Sequence, residues 1–198
     1  MKQIALTMRV DEHGGVNERR DAIDQRWYDF LSACNATPIL IPNSLSFIKN
    51  MCFEKVSGII LTGGNSLQTL GGSAPERDNV ETQLIDIAVE RKLPLLGICR
   101  GMQVIQQYFG IDLYKVVGHV KIRHDLVYAG TSINVNSFHE WGTTETIDDL
   151  DVLARSDGNI IEAISHKTLP ISAIMWHPER EETFSSVDIT LFQEHFSL

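Results

Sequence analysis

Long apolar runs are missing from this chain: nothing approaches the roughly 20 residues that cross a bilayer. The opening MKQIALTMRV meets the polar Asp11-Glu12-His13-Gly14-Gly15 too early for a secretory leader, so a cytoplasmic protein away from membranes is the expectation. Basic charge is also scarce, with 17 Lys and Arg against 26 Asp and Glu and a net charge of −9. Affinity for nucleic-acid polymers rests on neutralised phosphates, so that class of partner is not expected. Cysteine is limited to Cys34, Cys52 and Cys99, an odd number at spacings that fit neither a disulfide framework nor a C-x-x-C metal knuckle. The seven histidines show no His-x-x-x-His or comparable local ligand spacing, so neither metal nor cofactor is expected. No repeat, low-complexity tract or Pro/Ser-rich linker divides the chain, and 198 residues that are 43% apolar suit one α/β domain over residues 1–198.

What is present is an alternation of short β-branched apolar runs with helical periodicity, the pattern of a largely parallel sheet covered by helices on both faces. Ile4 to Met8, Pro38 to Ile41, Ser57 to Leu61 and Leu93 to Ile98 read as strands. Ile23, Trp27, Phe30, Leu31 and Cys34 form one helical stripe, which makes Cys34 a core residue. Asp78 with Glu81 reads as a capped helix start. The second half reads as strands Val116 to Ile122, Ser132 to Val135, Val152 to Ala154, Ile160 to Ile164 and Ile171 to Trp176, closed by a helix from Val187 to Phe196. Asp148, Asp149 and Asp151 read as a solvated turn, and Trp27, Trp141 and Trp176 as core or rim packing, with Trp176 steadying the strand end that follows it.

The most informative segment is Gly97-Ile98-Cys99-Arg100-Gly101, a cysteine between a buried strand and a helix with small residues on either side. A nucleophile elbow needs a strained tip, and flanking glycines let the neighbouring chain pass close to it. The helix N-terminus favours thiolate, and the Arg100 amide can face an oxyanion forming on an attacked carbonyl. Trp176-His177-Pro178-Glu179 supplies a base at the end of the last strand. In extended chain, residues two apart share a face, so Glu179 can hold the His177 imidazole in the tautomer that moves a proton. The expected triad is Cys99, His177 and Glu179.

Taken together, Gly63-Gly64, Arg77-Asp78 with Glu81, Leu96 to Gln103, Val135-Asn136-Ser137-Phe138-His139, Asp157-Gly158 with Ile161-Glu162-Ala163, and Trp176 to Glu179 resemble a known family. It is the class I glutamine amidotransferase-like proteins, and within them the γ-glutamyl-γ-aminobutyrate hydrolase group. The arginine directly after Cys99 is similar to the hydrolases, because ammonia-channelling members more often carry an uncharged residue there. The resemblance implies a flavodoxin-like three-layer α/β/α sandwich with a mostly parallel sheet, and hydrolysis of a γ-glutamyl amide through a thioester on Cys99. It implies an oxyanion hole from the amides of Gly64 and Arg100. It also implies that Gln103, the backbone of Ser137 and Phe138, and, around the same pocket, His139 and Arg77 bind the substrate. His139 serves either as pocket lining or as a loop hydrogen-bonding residue.

The leaving group is addressed by two features. The segments 64–77 and 103–136 are shorter than is usual for the family, which suggests an open mouth. Lys115 to His124 is basic without an acid, and alternation puts His119, Lys121 and Arg123 on one strand face; Lys121 and Arg123 mark either a charge-guarded edge strand or a phosphate site. His124 is either part of that basic run or a satisfied loop histidine. With Arg9, Arg19 and Arg20 beside the loop after the first strand, this motivates a phosphate- or nucleotide-linked leaving group, as in relatives acting on γ-glutamyl nucleotide phosphoramidates of bacterial capsule synthesis. The alternative is a glutaminase subunit that delivers ammonia to a separate synthetase. The expected partner is thus a small-molecule γ-glutamyl amide, and self-association is left open.

Overall fold

The computed structural model describes residues 1–198. Its centre is a sheet of seven strands whose innermost members are apolar on both faces, as strands covered by helices on either side must be. β1 (Lys2–Thr7) lies between β4 (Ala36–Ile41) and β5 (Gly58–Leu61), with β6 (Leu95–Ile98) and β13 (Ile171–Ile174) next, all parallel. Two antiparallel strands, β12 (Ile161–His166) and β11 (Leu150–Arg155), complete one edge, giving the order β11-β12-β13-β6-β5-β1-β4. All of β5 and β6 is buried, whereas β11 alternates buried with exposed residues, as an edge strand should.

Helices cover the sheet in two groups, which makes the three-layer α/β/α class. α1 (Arg26–Ala33) buries Trp27, Phe30 and Leu31, and meets α5 (Ser186–Phe196) where Phe30 and Phe192 pack edge to face at 4.7 Å. α2 (Leu45–Asn50), α3 (Pro75–Arg91) and α4 (Arg100–Tyr108) pack against one another on the other side. Pro75 opens α3 at a position where its missing N–H costs nothing. Asp78 and Glu81 therefore lie inside the helix and do not cap it; Asp78 instead accepts from the Gln68 amide and from Arg100. Ile23 is only partly buried and precedes α1, while Cys34 directly after it is fully buried. No helix is long and apolar enough to cross a membrane.

Two ribbons depart from the sequence reading. The stretch after β1 is a hairpin, β2 (Arg9–His13) with β3 (Glu18–Ala22), whose mixed charges mask its alternation. The basic stretch is split into β7 (Tyr114–Lys115), paired with β10 (Trp141–Gly142), and β8 (Val120–Tyr128), paired with β9 (Thr131–Phe138). The register of β8 slips between Val120 and Ile122, where Lys121 takes a left-handed φ of 56°. This bulge breaks the alternation expected of His119, Lys121 and Arg123. His119 turns inward and is buried, whereas Lys121 and Arg123 are exposed.

Asp188, in the first turn of α5, is buried and accepts a hydrogen bond from Trp176 Nε1 at 2.9 Å. Burial pushes its carboxyl up to about 6, against a partial lowering by that bond. The folded state thus holds this proton more tightly than the unfolded chain. Its contribution to stability is complete below the ordinary value of 3.8 and is lost as pH rises through about 6. Asp188→Asn is expected to remove this fall, about 3 kcal/mol for a shift of two units, from the pH profile of urea unfolding.

Candidate active site

The site lies beyond the carboxyl ends of β5, β6 and β13, the edge where open α/β sheets bind ligands. Cys99, between β6 and α4, has φ 51° and ψ −103°, a strained conformation for a residue with a side chain. Its amide is tied to the Ile174 carbonyl of β13 at 2.8 Å, so packing fixes the turn. The flanking glycines are sterically required: a Cβ on Gly97 would sit 2.7 Å from the Gly101 backbone, and one on Gly101 would sit 2.1 Å from the Leu61 carbonyl. As the first residue of α4, Arg100 has no intrahelical acceptor for its amide.

His177 follows β13 and is buried. Its Nδ1 lies 2.7 Å from Glu179 Oε1, and its ring lines the same cavity as Cys99. Asn136 of β9 fixes the backbone of His177 from both sides, donating to its carbonyl at 2.8 Å and accepting from its amide at 2.9 Å. Phe138 packs edge-on against the imidazole, with ring centres 5.7 Å apart. Gly63 makes room for that ring, since a Cβ there would be 2.5 Å from Cε1.

The electrostatics follow from these neighbours. Burial alone would raise the Cys99 thiol, but the charge and hydrogen bond of His177, with smaller help from His139 and Arg180, bring it below the ordinary thiol value. Burial would lower His177, yet Glu179 and the Cys99 thiolate outweigh it and push the imidazole up to about 9. Both shifts favour the thiolate–imidazolium form of the pair. Cys34 is the opposite case, with its thiol pushed up to about 12 by burial and by Asp188.

Cys99 opens on a cavity of about 340 Å³ that is also lined by Gly64, Gln103, Phe138, His139, Trp141 and Arg180. A wider depression of about 520 Å³ between β8 and β11 has neither cysteine nor histidine in its lining. Gln103 lines it from one helical turn beyond Cys99, and its Nε2 donates to the Trp141 carbonyl at 3.1 Å. Ser137 is buried behind this wall, its hydroxyl donating to the His119 carbonyl. His139 does both things open to it: it lines the cavity, and its Nδ1 lies 3.0 Å from the Trp141 carbonyl.

Arg77 stands elsewhere than expected. It is completely buried behind the loop after β5 and donates to the carbonyls of Thr62, Gly63 and Gly64, and to Glu81. Because carbonyl and N–H of a trans peptide point in opposite directions, holding the Gly63 carbonyl turns the Gly64 N–H away from Arg77. The Arg100 side chain is likewise buried, against Glu81 and Asp78.

The cationic groups expected around a phosphate are also redistributed. Arg9 pairs with Asp11, Arg20 with Glu18, and Arg19 with Glu12 and Glu76, so none of the three is a free anion receptor. Arg123 bonds Asn134 and Glu181 on another surface, and Lys121 does not line the cavity. A cation on the cavity is Arg180, whose guanidinium lies over the Phe138 ring at 4.7 Å with its Nε 3.6 Å from Glu179 Oε1. Sequence reasoning missed it for lack of a local signal, since its position follows from the turn after His177.

The histidines also converge in a way that their spacing along the chain does not show. His119, His124, His139 and Glu162 converge in one buried cluster, with a ligand atom of each within 4.8 Å of the others. His124 is not a satisfied loop histidine: it lies on β8 and its Nε2 has no hydrogen-bond partner.

This chain belongs to the Peptidase C26 family, whose profile matches residues 4–129 and 116–179. Its fold is that of the class I glutamine amidotransferase-like proteins. Among curated relatives, it is 32% identical to the gamma-glutamyl-CDP-amidate hydrolase of Campylobacter jejuni, over 98% of both chains. It is 33% identical to a subunit of the glutamine-hydrolyzing GMP synthase of Pyrococcus abyssi, over 76% of this chain and 80% of that one. Among solved structures, a GMP synthase-type subunit of Thermoplasma acidophilum superposes with a TM-score of 0.75 at 22% identity, covering 100% of this chain and 93% of the other.

Proposed function

We propose that this protein hydrolyses a γ-glutamyl amide through a thioester on Cys99, with His177 and Glu179 completing the triad. The observation that carries the reading is the strained elbow cysteine, sharing one cavity with an imidazole whose Nδ1 is 2.7 Å from a buried carboxylate. The thiolate attacks the γ-carbonyl, and the amides of Gly64 and Arg100 receive the oxyanion. His177 gives its Nε2 proton to the departing nitrogen as the C–N bond breaks. It then takes a proton from water attacking the thioester, and glutamate and the thiol are released. Gln103, Phe138, His139 and the backbone at Ser137 enclose the glutamyl part, for which a cavity near the small end of ligand pockets is sufficient.

The leaving group carries phosphate in this reading, as the name of the Campylobacter jejuni relative states for that enzyme. Arg180 at the cavity supports it, since a guanidinium there suits a phosphoryl oxygen. The test compares kcat/KM for γ-glutamyl-CDP-amidate, γ-glutamyl-γ-aminobutyrate and glutamine. Preference for the first, lost in Arg180→Gln, is expected, and equal rates on all three would remove the phosphate. A glutaminase subunit is the second reading, favoured by the similarity to the Pyrococcus abyssi protein. It requires glutamine hydrolysis that appears only when a synthetase is added.

The coupled protons of Cys99 and His177 give kcat/KM a bell shape. Activity should rise with pH on a limb below the ordinary thiol value as the Cys99 thiolate forms. It should fall near about 9, where His177 loses the proton needed by the leaving nitrogen. Glu179→Gln is expected to move the alkaline limb to lower pH, because the Glu179 charge is the largest influence holding that proton. A limb that stays in place would argue against the assignment.

A further inference from the structure

We propose that His119, His124, His139 and Glu162 form a closed zinc site that pins the β8–β9 ribbon to the central sheet. All four residues are buried, and one ligand atom from each lies within 4.8 Å of the others. In each of the three rings one buried nitrogen, His119 Nδ1, His124 Nε2 and His139 Nε2, has no hydrogen-bond partner. Glu162 Oε1 is 3.3 Å from the first and 3.5 Å from the third, longer than a normal N–H···O bond. Those spacings match the edge of a zinc tetrahedron, about 3.4 Å for bonds of about 2.0–2.1 Å.

The surroundings are those of metal ligands. His139 Nδ1 donates to the Trp141 carbonyl at 3.0 Å, which in the neutral ring leaves the Nε2 lone pair facing Glu162. Ser156 donates to Glu162 Oε1 at 2.7 Å and orients that carboxylate. The His119 ring centre is only 4.5 Å from that of His124 and 4.7 Å from that of His139. A single proton can serve one of the three inward nitrogens and leaves the other two buried without a partner, at a cost for each. One cation serves all three and the carboxylate. Three imidazoles with one carboxylate suit zinc, and four protein ligands leave no open position, the mark of a structural ion.

The bulge at Lys121 has a purpose in this arrangement. His119 and His124 are an odd number of residues apart, so in a regular strand they would face opposite sides; the extra residue brings them to the same one. His119 and His139 are neighbours across the ribbon, where the His139 amide bonds the His119 carbonyl at 3.0 Å. Glu162 belongs to β12 of the main sheet. The ion therefore fastens to the sheet the ribbon that carries Phe138 and the Asn136 that holds His177.

The test uses the full chain purified without a metal-binding tag, and it needs no substrate. Elemental analysis should find about one zinc per chain. Removing zinc with a chelator should lower the melting temperature by on the order of 5 °C, and equimolar zinc should restore it. Cobalt in its place should give the visible spectrum of a tetrahedral site with nitrogen and oxygen ligands. His124→Ala should lose zinc and the thermal shift, while Cys99→Ala keeps both. The proposal is overturned if the wild type takes up neither metal at stoichiometric concentration, or if zinc persists in His124→Ala and disappears in Cys99→Ala. Where His124→Ala does not fold, the wild-type cobalt spectrum decides alone, and a thiolate charge-transfer band would place the ion on a cysteine and overturn the site.

Discussion

Cys99→Ala is expected to lower kcat/KM on a γ-glutamyl amide by at least about 10⁴-fold, and His177→Ala by a comparable factor. Without the sulfur no thioester forms; without the imidazole the thiol loses the neighbour that favours its ionisation and the leaving nitrogen loses its proton donor. Because the two act as a unit, the double variant should be no slower than either single one. Stability provides an independent check. Cys99 holds φ 51° and ψ −103°, and a conformation of this kind costs on the order of 1–3 kcal/mol when a side chain is present. Cys99→Gly should therefore be as inactive as Cys99→Ala yet more stable to urea, by about 1 kcal/mol after glycine's entropic cost. Turnover of the purified Cys99→Ala chain within a hundredfold of wild type would rule out the thioester route.

Arg77→Met is expected to cost about 3–5 kcal/mol of stability, the usual penalty for removing one member of a buried ion cluster. Arg77 and Arg100 share Glu81, which is itself fully buried and also accepts from Thr7 Oγ1 at 2.8 Å. Burial pulls the Arg77 guanidinium down to about 10, against the opposing charge of Glu81, so it remains a cation at neutral pH. Arg77→Lys separates charge from geometry. An ammonium cannot reproduce the fork that holds the carbonyls of Thr62, Gly63 and Gly64 at 2.6–3.0 Å. Arg77→Lys should then lower kcat by about 10²–10³-fold, as expected for a displaced oxyanion donor, with KM little changed. Alkylation of Cys99 by iodoacetamide should proceed at the wild-type rate, because the thiolate and imidazolium are untouched. Slowed alkylation would show that Arg77 acts through the triad and not through the Gly64 amide.

The sequence by itself determined what depends on neighbours along the chain. Strands buried on both faces announce themselves as unbroken apolar runs, so β1, β5 and β6 were legible in Ile4 to Leu6, Ile59 to Leu61 and Leu95 to Ile98. The elbow was legible because the glycines on either side of Cys99 answer a local steric need. The facing of His177 by Glu179 was legible because it spans two residues.

Only the tertiary structure decided what depends on distant chain meeting distant chain. Arg77 is expected at the substrate pocket until the fold closes the carbonyls of the β5 loop and Glu81 around it. Arg19 and Arg123 read as anion receptors until Glu76 and Glu181, carboxylates from distant chain, neutralise them. One inserted residue at Lys121 reverses which side chains face inward, and no local pattern marks it. The histidine cluster lies beyond sequence reasoning for the same reason: its four members span 119–162, and burial with nothing left to bond is a property of the packed molecule alone.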